Sequence, residues 1–162
     1  ILDWLSVPVK KKESNKPSFT SNKKYICDGE DCLISGSYDR IEIRNSNYAR
    51  IVNATAKHIS IERSIVSIES SYVKSMDVGV RAIDSVVNLS GCSIDSDVAI
   101  LTSQSSIDLA GVKLTGESAA IKEAALNAGD KSTIIFSVSK IKSPFNDDYM
   151  HEIKLLTNKN SY

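Results

Sequence analysis

Val87-Asn88-Leu89-Ser90-Gly91-Cys92-Ser93-Ile94-Asp95-Ser96-Asp97-Val98-Ala99-Ile100 can be laid over Ile107-Asp108-Leu109-Ala110-Gly111-Val112-Lys113-Leu114-Thr115-Gly116-Glu117-Ser118-Ala119-Ala120-Ile121. Each copy holds three pairs of core-type residues with one residue between the members: Val87/Leu89, Cys92/Ile94 and Val98/Ile100, then Ile107/Leu109, Val112/Leu114 and Ala119/Ile121. Alternation of that kind belongs to strands, whose successive side chains point to opposite faces. Ser90-Gly91, Asp95-Ser96-Asp97, Ala110-Gly111 and Thr115-Gly116 are turn formers, and each falls between two pairs. The pattern extends in both directions. Ile59-Ser60-Ile61 with Ser64/Val66 and Val78/Val80 precedes it, and Ile134-Ile135-Phe136 with Ser139/Ile141 follows. Self-similarity at about 20 residues marks a solenoid, in which a repeat buries its apolar side only by stacking on the next.

Short strands joined by short corners leave no room for a hairpin return, so equivalent strands stack parallel, apolar inside and wet outside. The expected fold is all-β, a right-handed parallel β-helix (solenoid) of about five rungs. The right-handed form is chosen because the 7 glycines are too few and too irregular for the left-handed hexapeptide type. Arg40-Ile41-Glu42-Ile43-Arg44 makes the first full strand, with order beginning near Tyr25-Ile26. Anchors at 41, 59, 87, 107 and 134 then give steps of 18, 28, 20 and 27 residues. The long steps predict two corner insertions. One covers residues 67–73, although Val66/Ile68 serve equally well as an anchor. The other covers residues 122–131, whose Ala and Leu content ahead of Gly129 suggests one or two helical turns.

The expected division is an N-terminal cap or linker over 1–24, the β-helix over 25–143 and a C-terminal cap over 144–162. Residues 10–24 are polar and carry Pro17, as an exposed linker does. Trp4, Leu5 and Val7 are read as a cap on the coil, the second reading being the remnant of a membrane tether before residue 1. Tyr149, Ile153 and Leu156 have helical spacing, so a short C-terminal helix is expected to cover the last rung. Left open, the rung edges at either solenoid end invite homo-oligomers.

Lysine plus arginine equal aspartate plus glutamate at 20 each, so no net field draws the chain to nucleic acid or an anionic membrane. Aromatics at 6% argue against a ring-lined cofactor pocket. Cys27 and Cys32, in Cys-Asp-Gly-Glu-Asp-Cys, are close enough to pair as a disulfide, which would favour an extracytoplasmic compartment, periplasm or cell surface. Cys92 shares its repeat position with Ser64, Val112 and Ser139, and so reads as a small core residue.

The repeats over about residues 39–143 resemble, in repeat shape, the right-handed parallel β-helix class that includes the pectin-lyase-like enzymes and numerous surface and phage proteins. That resemblance implies carbohydrate chemistry, with clustered aspartates holding calcium and an arginine or lysine base. The chain departs from it: the outward positions Glu42, Ser60, Asn88, Asp108 and Ile135 form a mixed ladder with no acidic cluster. Bactofilins are similar in shape too, but their glycine-punctuated repeats are not reproduced here.

The residues singled out for surface binding are Glu42, His58, Asn88 and Asp108. His58 precedes the inward Ile59, so it points outward near Arg40, and is read as an ordinary exposed histidine. Asp95 and Asp97 with Asp84, and Asp28 with Glu30 and Asp31, are oxygen-rich enough to suggest calcium but read more simply as solvated turns. Glu42, Glu69 and Asp108 are the carboxylates that stacking would gather for a glycosidase. No catalytic, metal or cofactor residue is assigned. The expected function is a non-enzymatic structural or interaction module presenting solenoid faces to a protein or polysaccharide partner, in a bacterial envelope or surface protein. The alternative is a carbohydrate-binding or carbohydrate-active protein, a lyase or hydrolase if an enzyme.

Overall fold

A computed structural model describes residues 22–124, 131–137 and 139–142 of the chain. They form twelve strands: β1 (Lys24–Asp28), β2 (Leu33–Arg44), β3 (Ala49–Glu62), β4 (Ile65–Glu69), β5 (Tyr72–Lys74), β6 (Val78–Ile83), β7 (Val86–Ser90), β8 (Ser93–Ser103), β9 (Ser106–Ala110), β10 (Lys113–Glu123), β11 (Thr133–Ser137) and β12 (Lys140–Lys142). Every pairing is parallel, and the chain coils through about five turns as a β-solenoid.

Each turn contributes one segment to each of three faces. The first face stacks residues 33–34 of β2, residues 49–52 of β3, then β4, β7, β9 and β11. The second stacks 36–38 of β2, 54–56 of β3, β5, 93–96 of β8, 113–116 of β10, and β12. The third stacks β1, 40–44 of β2, 58–62 of β3, β6, 98–103 of β8 and 119–123 of β10.

The interior is built from columns that the parallel register extends from turn to turn. Ile41, Ile59, Val80, Ile100 and Ile121 form one on the third face, and Ala49, Val66, Val87, Ile107 and Ile134 form one on the first. All of these are buried. β-Branched side chains suit such a column because their stiff χ1 packs closely on an identical neighbour one rung away.

The face assignment corrects the anchor series. Positions 41 and 59 belong to the third face, whereas 87, 107 and 134 belong to the first. Followed on the third face alone, the column runs through 41, 59, 80, 100 and 121, in steps of 18, 21, 20 and 21. The step of 28 disappears, and residues 67–73 are no insertion: they are the body of β4 and the start of β5, with Val66 and Ile68 as the anchors. Lys122 and Glu123 end β10 as strand, and residues 125–130 lie outside the described residues, as do the segment before residue 22 and the residues expected to form a C-terminal helix.

Two corners are turned by single residues in the left-handed region. Between the third and first faces these are Gly29, Asn45, Arg63, Asp84 and Gln104, with φ from +45° to +70°. Between the first and second faces they are Asn53, Ser70, Gly91 and Gly111, with φ from +47° to +62°. One such residue swings the chain sharply, and it also turns the following N–H away from the strand ladder. That amide needs another acceptor.

At the first of these corners the acceptor is a serine from the next turn. The Ser46 N–H donates to Ser64 Oγ (3.0 Å), Ser64 N–H to Ser85 Oγ (3.2 Å), Ser85 N–H to Ser105 Oγ (3.1 Å) and Ser105 N–H to Ser132 Oγ (3.1 Å). Three of these hydroxyls spend their own proton locally: Ser64 Oγ donates to the Glu62 carbonyl and Ser85 Oγ to that of Ile83, both at 2.7 Å, and Ser105 Oγ to that of Ser103 at 2.8 Å. Losing one hydroxyl strands a buried amide, at a cost of about 1–3 kcal/mol. Cys92 lies at the other corner, buried as expected, but its column holds Ser71, Val112 and Ser139 and not Ser64. Burial there pushes its thiol pKa up.

Candidate functional site

An open groove of about 530 Å³ follows the serine corner along the coil axis. Its floor is the buried ladder Ser46, Ser64, Ser85 and Ser105, and its two banks differ in chemistry. One bank is the column of left-handed residues Arg63, Asp84 and Gln104, which continues past the groove to Asn45: Arg63 Nε donates to Asn45 Oδ1 (2.9 Å) and Asn45 Nδ2 donates to Asp28 Oδ1 (3.0 Å). The other bank is Ile65, Val86 and Ser106, the first outward residues of the first face, in a column that continues past the groove to Tyr48. Tyr48, Ile65 and Val86 are 51%, 45% and 41% exposed. Ile65 pairs in register with Val86, so these side chains form an apolar strip with strand spacing, about 4.8 Å per step. Sequence reading missed this groove. Its signal was available as the dipeptides Asn45-Ser46, Arg63-Ser64, Asp84-Ser85 and Gln104-Ser105, one per turn.

The four residues singled out from the sequence divide between two faces. Asn88 and Asp108 are register neighbours on the outside of the first face, in a column with Arg50, Ser67 and Ile135. Glu42 and His58 belong to the third face, so the single ladder from Glu42 through Asn88 to Asp108 is not formed. For the same reason Glu42 is not gathered with Asp108 and Glu69, which are both on the first face.

His58 does pair in register with Arg40, but its ring is half-buried, and Nδ1 donates to the Val78 carbonyl (2.7 Å). It holds the next turn in place and is no ordinary exposed histidine. Of the acidic turns, Asp28 accepts from Asn45, Asp31 Oδ1 accepts from the Tyr48 N–H (3.1 Å), and Asp97 accepts from the Ser118 hydroxyl. Asp84 lies at the serine corner and Asp95 on the second face. Among the described residues no three acidic, histidine or cysteine side chains converge on one point. Cys27 and Cys32 are joined as a disulfide across the first corner.

Glu42 has the most unusual setting on the surface. Alternation aims it outward, yet it is only 5% exposed, because three cations close over it. Lys24 Nζ (2.9 Å) and Arg40 Nε (2.8 Å) meet Oε1, and Arg44 Nη2 (3.0 Å) meets Oε2. The Lys24 hydrogen bond is the main cause that holds its pKa below the ordinary 4.5, ahead of the opposing effect of desolvation and the attraction of the three cations. A lowered folded-state pKa means that this carboxylate stabilises the fold above the unfolded pKa and stops doing so as pH falls through the folded value. Urea titrations of wild type and Glu42→Gln are therefore expected to differ at pH 7 in favour of wild type, with the gap closing as pH is lowered beneath 4.5. A gap that stays constant down to acid unfolding would show that the cations hold nothing.

Three further outer carboxylates are likewise tied to neighbouring turns: Glu69 to Arg50 (3.1 Å), Glu62 to Arg81 (2.8 Å) and Asp39 to Lys57 (2.7 Å). Tyr72 stands on the outside of the second face, where burial first and Asp95 second push its phenol pKa up. No family model, curated protein or solved structure matches the chain.

Proposed function

We propose that the chain is a non-enzymatic interaction module, a right-handed β-solenoid that displays its outer ladders to an extended partner. The observation that carries this reading is the structural employment of seven of the outer carboxylates. Glu42, Glu62, Glu69, Asp28, Asp31, Asp39 and Asp97 each bond a neighbour that helps hold one turn to the next or close a corner. General acid and base work needs carboxylates free to exchange protons and aimed across a cleft. What is left for display is a groove with one apolar and one polar bank, open along the axis and suited to a chain-like ligand. The right-handed sense is supported by the strong bias of parallel strand connections toward that hand. The Cys27–Cys32 disulfide supports a working place outside the reducing cytoplasm, at a cell surface or in an envelope.

A carbohydrate-active reading is favoured by a different observation, the exposed ring of Tyr48 at one end of the apolar strip, since sugars stack on such rings. One assay separates the two. Acidic and neutral polysaccharides are incubated with the protein, with and without calcium, and new reducing ends and unsaturated uronates are measured over time. The module reading expects none above the protein-free control. Steady accumulation of either product would overturn it.

A further inference from the structure

The second face ends in a group of lysines that the coil itself does not use. Lys113 and Lys140 are register partners on adjacent turns, and Lys142 follows two residues along β12, opposite Thr115. Lys74 stands on the same face, next to Asp95. All four are exposed, and none has an ionic partner among the described residues. Like charges directly opposite one another in a sheet destabilise it. Here Lys113 and Lys140 are separated by one strand spacing, about 4.8 Å, and Lys142 by about 7 Å from Lys140. Lys57, at the corner between this face and the third, is neutralised by Asp39 (2.7 Å), so the crowding is confined to the last turns.

The kind of cation narrows the partner. Every arginine of the chain is engaged elsewhere: Arg40 and Arg44 on Glu42, Arg50 on Glu69, Arg81 on Glu62 and Arg63 on Asn45. The planar fork that suits phosphate is therefore absent from the second face, and what it offers is compact ammonium charges on flexible stems. Such charges suit singly charged groups spaced along a polymer. They lie in two directions on a flat sheet whose outer side also carries Ser93, Thr115 and the Tyr72 ring, which provide hydroxyl groups to sugar hydroxyls. Duplex DNA, with one charge per about 1.7 Å of axis, calls for a denser cationic surface than this one.

We propose that the lysine end of the second face, Lys113, Lys140 and Lys142, is a docking strip for an acidic polysaccharide bearing carboxylates along its length. The proposal rests on the module reading and names its partner class. It is tested by affinity electrophoresis of the whole chain through gels containing polygalacturonate, dextran or double-stranded DNA, with the polymers checked afterwards for shortening. Polygalacturonate is expected to retard the protein, less so as salt rises, and dextran to leave it unretarded. The triple variant Lys113→Gln/Lys140→Gln/Lys142→Gln is expected to bind about tenfold more weakly or worse, and Lys57→Gln to change affinity less than about twofold. Because the substitutions remove like-charge crowding, the triple variant should melt no earlier than wild type. Retardation unchanged in the triple variant overturns the proposal, as does equal, lysine-dependent retardation by DNA, which would make the occupant a nucleic acid. No retardation by any polymer overturns it too, and leaves the module reading standing. Shortened polygalacturonate removes the module reading instead.

Discussion

Ile61→Ala is expected to lower the unfolding free energy by about 3 kcal/mol, the middle of the range for truncating a buried isoleucine. Ile61 is fully buried, stacked in register between Ile43 and Ala82 in a column on the third face. Its neighbours are fixed by the parallel ladder on both sides, so they cannot collapse into the space that three lost carbons leave. A solenoid has one narrow interior and contacts only between adjacent turns, so a cavity in the middle turn weakens the coupling of everything before it to everything after it. Urea unfolding followed by far-UV circular dichroism measures the loss. The outward Asn88→Ala should shift the same curve by no more than about 0.5 kcal/mol. Equal losses at the two positions would contradict the assignment of inside and outside.

Gly116→Ala is expected to cost about as much, about 3 kcal/mol, for the opposite reason. A Cβ at Gly116 would lie 2.0 Å from the Ala119 carbonyl oxygen and 2.5 Å from the Ala120 nitrogen. Both atoms are backbone, so no rotamer change relieves the clash. The site is a bulge: Gly116 pairs with Ser96, but the next registered pair is Ala119 with Val98, which leaves Glu117 and Ser118 opposite the single residue Asp97. Gly111→Ala is the control. Its φ is +62° but its surroundings are open, and only the left-handed strain of about 1 kcal/mol applies. Melting curves that rank Gly111→Ala as the more damaging change would mean that the bulge is not tight.

Much of the fold was legible because the alternation of core-type pairs is strong and the interval between copies stays near 20 residues until the last turn. Val87/Leu89 over Ile107/Leu109, and Cys92/Ile94 over Val112/Leu114, are true register pairs or columns. The assignment of faces was harder. Ile59-Ser60-Ile61 on the third face and Val87-Asn88-Leu89 on the first have the same in-out-in pattern and similar side chains, so periodicity alone does not tell one from the other. The discriminating signal lay in the polar corners: four of the five left-handed residues between the third face and the first, Asn45, Arg63, Asp84 and Gln104, are followed by serine, against one of the four, Ser70, between the first and the second. Serine read as generic turn chemistry conceals that.

The candidate sites show the same division. Alternation aimed Glu42 outward correctly, but its burial depends on Lys24, which reaches it only because β1 is itself a rung one turn earlier. The register of Arg40 with His58 could be read locally, whereas the Val78 carbonyl that holds His58 comes from the turn beyond.

The hydroxyl ladder at the serine corner also has a direction. Every amide in it waits for a side chain that lies further toward the carboxyl terminus: Ser46 for Ser64, Ser64 for Ser85, Ser85 for Ser105. A nascent polypeptide, leaving the ribosome amino end first, thus carries at its growing tip a corner still bonded to water, which is sealed when the following turn arrives. Synthesis and closure then run in the same sense, and the coil can be wound in the order in which it is translated.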